Sequence, residues 1–258
     1  MNKVALVNEK GGVGKTPTAI NLGYALARKG RRILWVDLDP QASLTKYFLD
    51  DGYKNLELTM YHALIQGRRI TPVVVTERLH LLPAKNDAVP LVNAEVELPQ
   101  KFRFDYQKRL EKILKLYSEY NDIIIDTPGN VSLFTVLALA SANLAIIPVK
   151  TERAAEQATD DIMELIQQVK GESESPGLNP NLTLWGILPT MYEGRVSHHQ
   201  QVLQILQYKY NGLVYAEPSR KTDAYNKAHA LKSDVSELDR ELGNYWNGIA
   251  ESVIQKGQ

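Results

Sequence analysis

Cysteine is absent from the 258 residues. That excludes disulfides, a thiol nucleophile, iron–sulfur ligation and cysteine-bound zinc within this chain, and it fits a reducing cytoplasm. A net charge is absent as well, because 30 basic and 30 acidic side chains cancel. A globally basic nucleic-acid binder is thereby excluded, though a local basic patch is not. Nowhere do 18 apolar residues run together, so no transmembrane helix is expected. Internal repeats, low-complexity tracts and long linkers are missing too. Met1-Asn2-Lys3 leads straight into a strand-like segment, so no signal peptide is expected ahead of the fold. What remains is ordinary globular composition, 44% hydrophobic and 23% charged, ample for a substantial core.

Short apolar runs rich in branched residues alternate with amphipathic stretches. Strands are expected at Lys3–Asn8, Ile33–Val36, Val73–Thr76, Leu79–Leu82, Asp122–Ile125, Leu144–Val149 and Thr183–Pro189. Helices are expected at Thr18–Lys29, Ala42–Leu49, Leu58–Gln66, Val89–Leu98, Tyr106–Tyr120, Ser132–Ala142, Glu152–Lys170, Val196–Tyr208, Thr222–Ala230 and Ser236–Ile254. Gly171–Asn181, rich in Ser, Pro and Gly, reads as a surface loop. The alternation predicts an α/β fold: one domain over 1–258, a mostly parallel twisted sheet flanked by helices.

The strongest chemical signal lies between the first strand and the first helix: Gly11-Gly12-Val13-Gly14-Lys15-Thr16. Glycines let successive backbone N–H groups turn inward on phosphate oxygens, and the helix N-terminus adds donors and partial positive charge. Lys15 is placed to reach the β- and γ-phosphates, and the Thr16 hydroxyl to ligate Mg²⁺. Aligned on Gly14, Lys15 and Thr16, the general GxxxxGK[ST] pattern puts its first glycine where this chain has Glu9, and the loop carries an additional lysine, Lys10. Pro17 in the first helical turn is tolerated but removes a donor near the α-phosphate. Two further carboxylate clusters follow strands: Asp37-Leu38-Asp39-Pro40-Gln41, and Asp126-Thr127-Pro128-Gly129. Carboxylates at the C-terminal ends of parallel strands face the crevice where open α/β sheets bind ligands. Asp126 suits Mg²⁺ through water, Asp39 an attacking water, and Asp37 a supporting place in the metal's surroundings, where Asp39 also stands.

Lys10 to Thr16 resembles the deviant Walker A box of the ParA/MinD ATPases, on the ParA/Soj side. The DxDPQ stretch and the strand Ile123–Ile125 running into Asp126 resemble that family's next two motifs, and the resemblance covers most of the chain. It implies a P-loop fold, ATP and Mg²⁺ as ligands, and slow, partner-stimulated hydrolysis. It also implies an ATP-dependent sandwich homodimer in which Lys10 reaches the nucleotide of the other subunit. Gly186–Tyr192 and Glu217–Arg220 resemble the family's segments around the adenine, so Met191 and Pro218 become base-pocket candidates. Lys150 stands where many relatives have glutamine.

The family's ATP-bound dimer binds DNA without sequence preference, and a ParB-like or cargo-adaptor protein triggers release. The resemblance therefore implies a nucleoid-associated, cytoplasmic switch that positions plasmid, chromosome or protein cargo, with no membrane partner. Charge offers support: residues 195–232 carry six basic against two acidic side chains, and residues 233–258 two against five. Arg195, Arg220, Lys221 and Lys227 are the DNA-contact candidates, the two arginines matching relatives best. Tyr208, Tyr210 and Tyr225 read as core or boundary residues, and His198-His199 as a solvated pair. A MinD-like membrane-cycling ATPase is one alternative, weakened because Trp246–Gln258 holds one lysine, Lys256. A metabolic ATP-dependent enzyme on the same fold is another, without a recognisable substrate motif. The missing cysteines exclude an electron-transfer ATPase of the nitrogenase-reductase type.

Overall fold

The structure, a computed structural model, describes residues 1–67, 69–85, 103–172 and 174–257. Its strands are β1 (Asn2–Leu6), β2 (Ile33–Asp37), β3 (Val73–Val74), β4 (Leu79–Leu82), β5 (Asp122–Asp126), β6 (Leu144–Lys150) and β7 (Thr183–Thr190). They form one seven-stranded sheet in the order β3-β4-β2-β5-β1-β6-β7. Every pairing is parallel except the antiparallel edge pair β3–β4. The helices are α1 (Lys15–Arg28), α2 (Ser43–Leu49), α3 (Met60–Gln66), α4 (Arg109–Leu114), α5 (Leu133–Ser141), α6 (Ala155–Lys170), α7 (Ser197–Lys209), α8 (Ala224–Leu231) and α9 (Arg240–Lys256).

Successive strand side chains point to opposite faces, so the central strands feed two cores. Ala5, Leu34, Val36, Ile123 and Ile125 face α3 to α7. Val4, Leu6, Ile33, Trp35 and Ile124 face α1, α2 and α9. These strands are buried on both sides, which is why they read as continuous apolar runs. On the second face α1 lies very close to the sheet. A Cβ on Gly23 would stand 2.4 Å from the Trp35 indole, whose Nε1 donates to the Ala19 carbonyl at 2.8 Å.

The expected helix Tyr106–Tyr120 is broken up. Only Arg109–Leu114 is α-helical, with 3-10 turns at Arg103–Lys108 and Lys115–Tyr117. Tightening the last turn turns Tyr117 inward, where its hydroxyl donates to the Ile70 carbonyl and accepts from the Ile70 N–H, both at 2.9 Å. The last helix begins at Arg240, later than the expected Ser236, because the Asp239 side chain caps it by accepting from the Glu241 and Leu242 N–H groups. The expected helix Val89–Leu98 lies outside the described residues. No helix among the described residues is long and apolar enough to cross a membrane.

Candidate functional site

β1 sits between β5 and β6, with β2 beyond β5. The register sets Leu6 beside Asp126 and Asp126 beside Asp37. Three strand ends thus bring the glycine loop and both carboxylate clusters to the same edge of the sheet, at a reversal of strand order. Residues far apart in sequence meet because parallel strands end in one plane.

The loop is held open from behind. Asn8 Nδ2 donates to the Pro148 carbonyl at 2.8 Å, and Asn8 Oδ1 accepts from the Lys10 N–H at 2.9 Å. Gly12 and Gly14 adopt φ of 71° and 92°, a left-handed region costly for side-chain residues. The Thr190 hydroxyl donates to the Val13 carbonyl at 2.7 Å, tying the loop to the end of β7. Gly129 meets the loop from the β5 side: a Cβ there would lie 2.7 Å from Gly11 Cα. Lys15 is buried, and its ammonium spans the loop to the carbonyls of Asn8 at 3.2 Å and Lys10 at 2.9 Å. Burial lowers its pKa, opposed by Asp126 and Asp39. Lys10 Nζ reaches the Ala154 carbonyl just before α6, at 2.8 Å.

The carboxylates divide the work. Thr16 Oγ1 donates to Asp126 Oδ2 at 2.6 Å, whereas Asp126 Oδ1 is buried and has no partner among the described residues. A buried, unpaired carboxylate oxygen beside a hydroxyl is a donor set suited to a hydrated hard cation such as Mg²⁺. Burial pushes the Asp126 carboxyl up to about 7. Asp37 is fully buried. Its oxygens accept from the Asp39 N–H at 3.1 Å and from the Thr45 N–H and hydroxyl at 2.9 and 2.7 Å. Asp37 therefore holds the loop that carries Asp39, and burial, reinforced by Asp126, pushes its own pKa up to about 8. Asp39 faces a cleft of about 540 Å³ together with Gly11, Gly12, Pro128 and Gly129. Its pKa is raised by burial and opposed by the Gln41 N–H and Lys15.

These shifts predict a pH dependence of stability. Asp126 binds its proton up to about pH 7 when folded, against an ordinary value of 3.8, so the folded state holds more protons between those values. Stability in the absence of Mg²⁺ falls as pH rises through that window. Calorimetry without Mg²⁺ should give a lower Tm at pH 8 than at pH 6, and Asp126→Asn should shrink that difference. An undiminished difference in the variant would refute the assignment.

A second cavity, about 270 Å³, opens beside Gly14 and Pro17. Met191, with φ of 53°, lines it together with Thr18, Ser219, Tyr225, Asn226 and Trp246. Pro218 does not line it. It borders the adjoining cleft with Arg195 and Glu217, because the bridge between Tyr192 and Arg220 turns Ser219 inward and Pro218 outward. Tyr225 was legible only as an aromatic at helical spacing, and Trp246 only as part of a C-terminal helix. Tyr208, expected in the core or at its boundary, is 91% exposed on α7.

The basic segment changes character once folded. Arg220 pairs with Glu241 at 2.9 Å and lies 3.8 Å from Asp239. Lys221 pairs with Glu193 at 2.9 Å, and Lys227 with Asp223 at 3.3 Å. Lys150 pairs with Glu152. The acidic stretch after residue 233 folds back on the basic one, so the sequence imbalance is partly cancelled in space. Arg195 is exposed and, among the described residues, has no carboxylate partner. The other pairs are exposed and worth at most about 1 kcal/mol each. His199 Nδ1 accepts from the Glu193 N–H at 3.1 Å, and no cluster that could hold a metal through three or more His, Asp or Glu side chains occurs among the described residues.

Comparison with known proteins places this geometry among relatives. A family model described as an AAA domain matches residues 1–184. The chain is 40% identical over 203 residues to the chromosome-partitioning ATPase Soj of Thermus thermophilus, covering 78% of this chain and 74% of the relative. It is 36% identical over 260 residues to the chromosome-partitioning ATPase Soj of Treponema pallidum, covering 99% of this chain and 98% of that protein. Among solved structures, cobyrinic acid a,c-diamide synthase from Mycobacterium smegmatis with bound ADP and magnesium superposes with a TM-score of 0.77 at 32% identity, over 89% of this chain and 93% of the other.

Proposed function

We propose a function from one premise: this chain belongs to the ParA/MinD family of ATPases, on its ParA/Soj side. It is a ParA-like ATPase whose ligands are ATP and Mg²⁺. The reading beyond that is a positioning switch. ATP binding drives a sandwich homodimer that holds DNA nonspecifically, and a ParB-like or cargo-adaptor protein stimulates slow hydrolysis and release. The observation that carries it is the shared edge of the sheet where Lys15, the Thr16–Asp126 pair and Asp39 converge around the glycine loop.

The residues act as follows. N–H groups from Gly11 to Thr16 and the Lys15 ammonium bind phosphate oxygens. Thr16 and the free oxygen of Asp126 hold Mg²⁺, directly or through water. The metal supplies charge neutralisation on the phosphates. Asp39, held at the cleft by Asp37, orients a water and accepts its proton. Lys10 exchanges the Ala154 carbonyl for the nucleotide of a second copy, which couples ATP binding to dimer formation. Lys150 rests on Glu152 as a second cation available to that interface.

The DNA-binding surface of this reading is built on Arg195, with Arg220, Lys221 and Lys227 released from weak surface pairs when phosphates compete for them. Such a surface places the dimer on the nucleoid, inside the cytoplasm. The MinD-like alternative loses support because Leu242, Trp246, Ile249 and Val253 of α9 are buried in the core and are not free to enter a lipid surface. A metabolic enzyme on this fold, the class to which the Mycobacterium smegmatis synthase belongs by name, would bind no DNA in either nucleotide state.

Retention on a nonspecific DNA duplex at about 100 mM salt, measured with ATP and with ADP, tests the switch. Retention is expected with ATP, loss with ADP, and a steep fall as salt increases. Arg195→Glu should weaken retention roughly tenfold or more at fixed salt and leave ATP-driven dimerisation intact. Equal retention in both nucleotide states would reject the switch, and unchanged retention of the arginine variant would reject the surface.

A further inference from the structure

Ser219, Tyr225 and Trp246 come from three elements, the loop between α7 and α8, α8 itself and α9, yet stand together in the wall of the 270 Å³ cavity. Trp246 Nε1 lies 3.2 Å from the Tyr225 hydroxyl, and that hydroxyl lies 2.7 Å from Ser219 Oγ. An indole nitrogen can only donate, so the tyrosine oxygen accepts from Trp246. The trio then has three protons and only two contacts. If Tyr225 donates to Ser219, the serine proton is left over. If Ser219 donates to Tyr225, the phenolic proton is left over. Either way one hydroxyl proton has no acceptor among the described residues, and both residues that can carry it line the cavity. An unpaired donor at such a place is costly when the cavity is dry, so the arrangement asks for an acceptor from outside the chain.

The trio is rigidly mounted. Trp246 is 1% exposed and packs edge-on against Tyr245 at 5.3 Å, which meets Tyr215 at 5.9 Å. Ser219 is fixed through its backbone. Its N–H donates to the Pro189 carbonyl at 2.8 Å, and its carbonyl accepts from the Tyr192 N–H at 3.0 Å. Burial keeps the Tyr225 phenol protonated, so it remains a donor at neutral pH. A hydroxyl on a side chain already fixed by its neighbours costs little further ordering when a ligand arrives.

The remaining lining is mixed: Arg220 and Lys221 stand in it beside an apolar part. Met191, Pro17 and Thr18 offer apolar surface suited to a flat ring, and Gly14 joins the cavity to the phosphate loop. We propose that the Trp246–Tyr225–Ser219 chain reads the nucleobase, presenting the one spare hydroxyl proton, carried by Tyr225 or Ser219, to a ring-nitrogen acceptor of a purine whose phosphates lie in the loop. Ser219 and Tyr225 form the reading pair, and Trp246 is the positioning residue that fills an acceptor site on the Tyr225 oxygen and anchors its ring. The inference rests on the reading that the base of ATP occupies this cavity.

Calorimetric titration with Mg·ATP and with Mg·tripolyphosphate, which has no base, tests it on the full chain. Tyr225→Phe combined with Ser219→Ala, which removes both hydroxyls able to carry the spare proton, is expected to weaken ATP about threefold to tenfold, the worth of one hydrogen bond. The double variant should leave tripolyphosphate affinity unchanged. Tyr225→Phe keeps the ring; if Ser219→Ala is unstable, Tyr225→Phe combined with Ser219→Val removes the same two hydroxyl protons. Equal weakening of both ligands would reduce the trio to scaffolding, and unchanged ATP affinity would remove it from recognition; either result overturns the proposal. A wild-type protein that binds ATP no better than tripolyphosphate would instead show that the base lies elsewhere, removing the reading on which the proposal stands.

Discussion

Lys15→Ala is expected to lower ATP affinity by about a hundredfold or more, to the point where titration at ordinary concentrations records no binding. The ammonium is the buried cation of the loop, and charge-assisted hydrogen bonds to phosphate are worth about 1.5–3 kcal/mol each. More than one is lost. The same group satisfies the carbonyls of Asn8 and Lys10 and opposes the upward push on the Asp126 and Asp39 carboxyls. Its removal leaves two carbonyls unsatisfied and favours the protonated form of Asp126, the form least able to hold Mg²⁺. Affinity for the metal should therefore fall together with affinity for the nucleotide. Near wild-type ATP binding by a folded Lys15→Ala protein would show that the glycine loop is not the phosphate site.

Asp39→Ala separates binding from chemistry. Asp39 touches neither Thr16 nor the loop carbonyls; its Oδ1 accepts from the Gln41 N–H at 2.8 Å, and it faces the cleft between Gly11 and Gly129. Removing a positioned base costs about 10²–10⁴-fold in rate. ATP affinity should change by less than about threefold, since no phosphate-binding donor is lost. The variant should accumulate as an ATP-bound dimer that stays on DNA. Single-turnover hydrolysis with a parallel binding titration provides the measurement, and hydrolysis at the wild-type rate would exclude Asp39 from the chemistry.

The two substitutions also show what kind of information a sequence carries. β1, the glycine loop and α1 are contiguous, and their conformation follows from local rules: branched residues in the strand, glycine where φ is positive, helix formers after it. The elements and their order were legible, while their bounds shifted: the strand is Asn2–Leu6 where Lys3–Asn8 was expected, and the helix starts at Lys15 where Thr18 was expected. Asp37, Asp39 and Asp126 were legible because strand ends in a parallel sheet share a plane, so once the alternation of elements is seen the convergence follows. The helix at 106–120 was misjudged because its period is real but its ends answer to Tyr117 and Ile70, a contact across the fold.

The 270 Å³ cavity beside Gly14 and the charged face were legible least. Met191, Ser219, Tyr225 and Trp246 are joined by no periodicity or spacing, and Pro218 and Ser219, adjacent in the chain, face opposite ways because of a single bridge. The basic stretch after Arg195 shows an imbalance when counted along the chain, yet Arg220 meets Glu241 in space. By itself the sequence determined the order of strands and helices and the glycine loop, since each depends on neighbours within a few residues, and it marked Asp37, Asp39 and Asp126 as strand-end carboxylates. Only the tertiary structure decided which side chains share a cavity and which charges find partners, because packing and Coulomb energies depend on distance through space and take no account of separation along the chain.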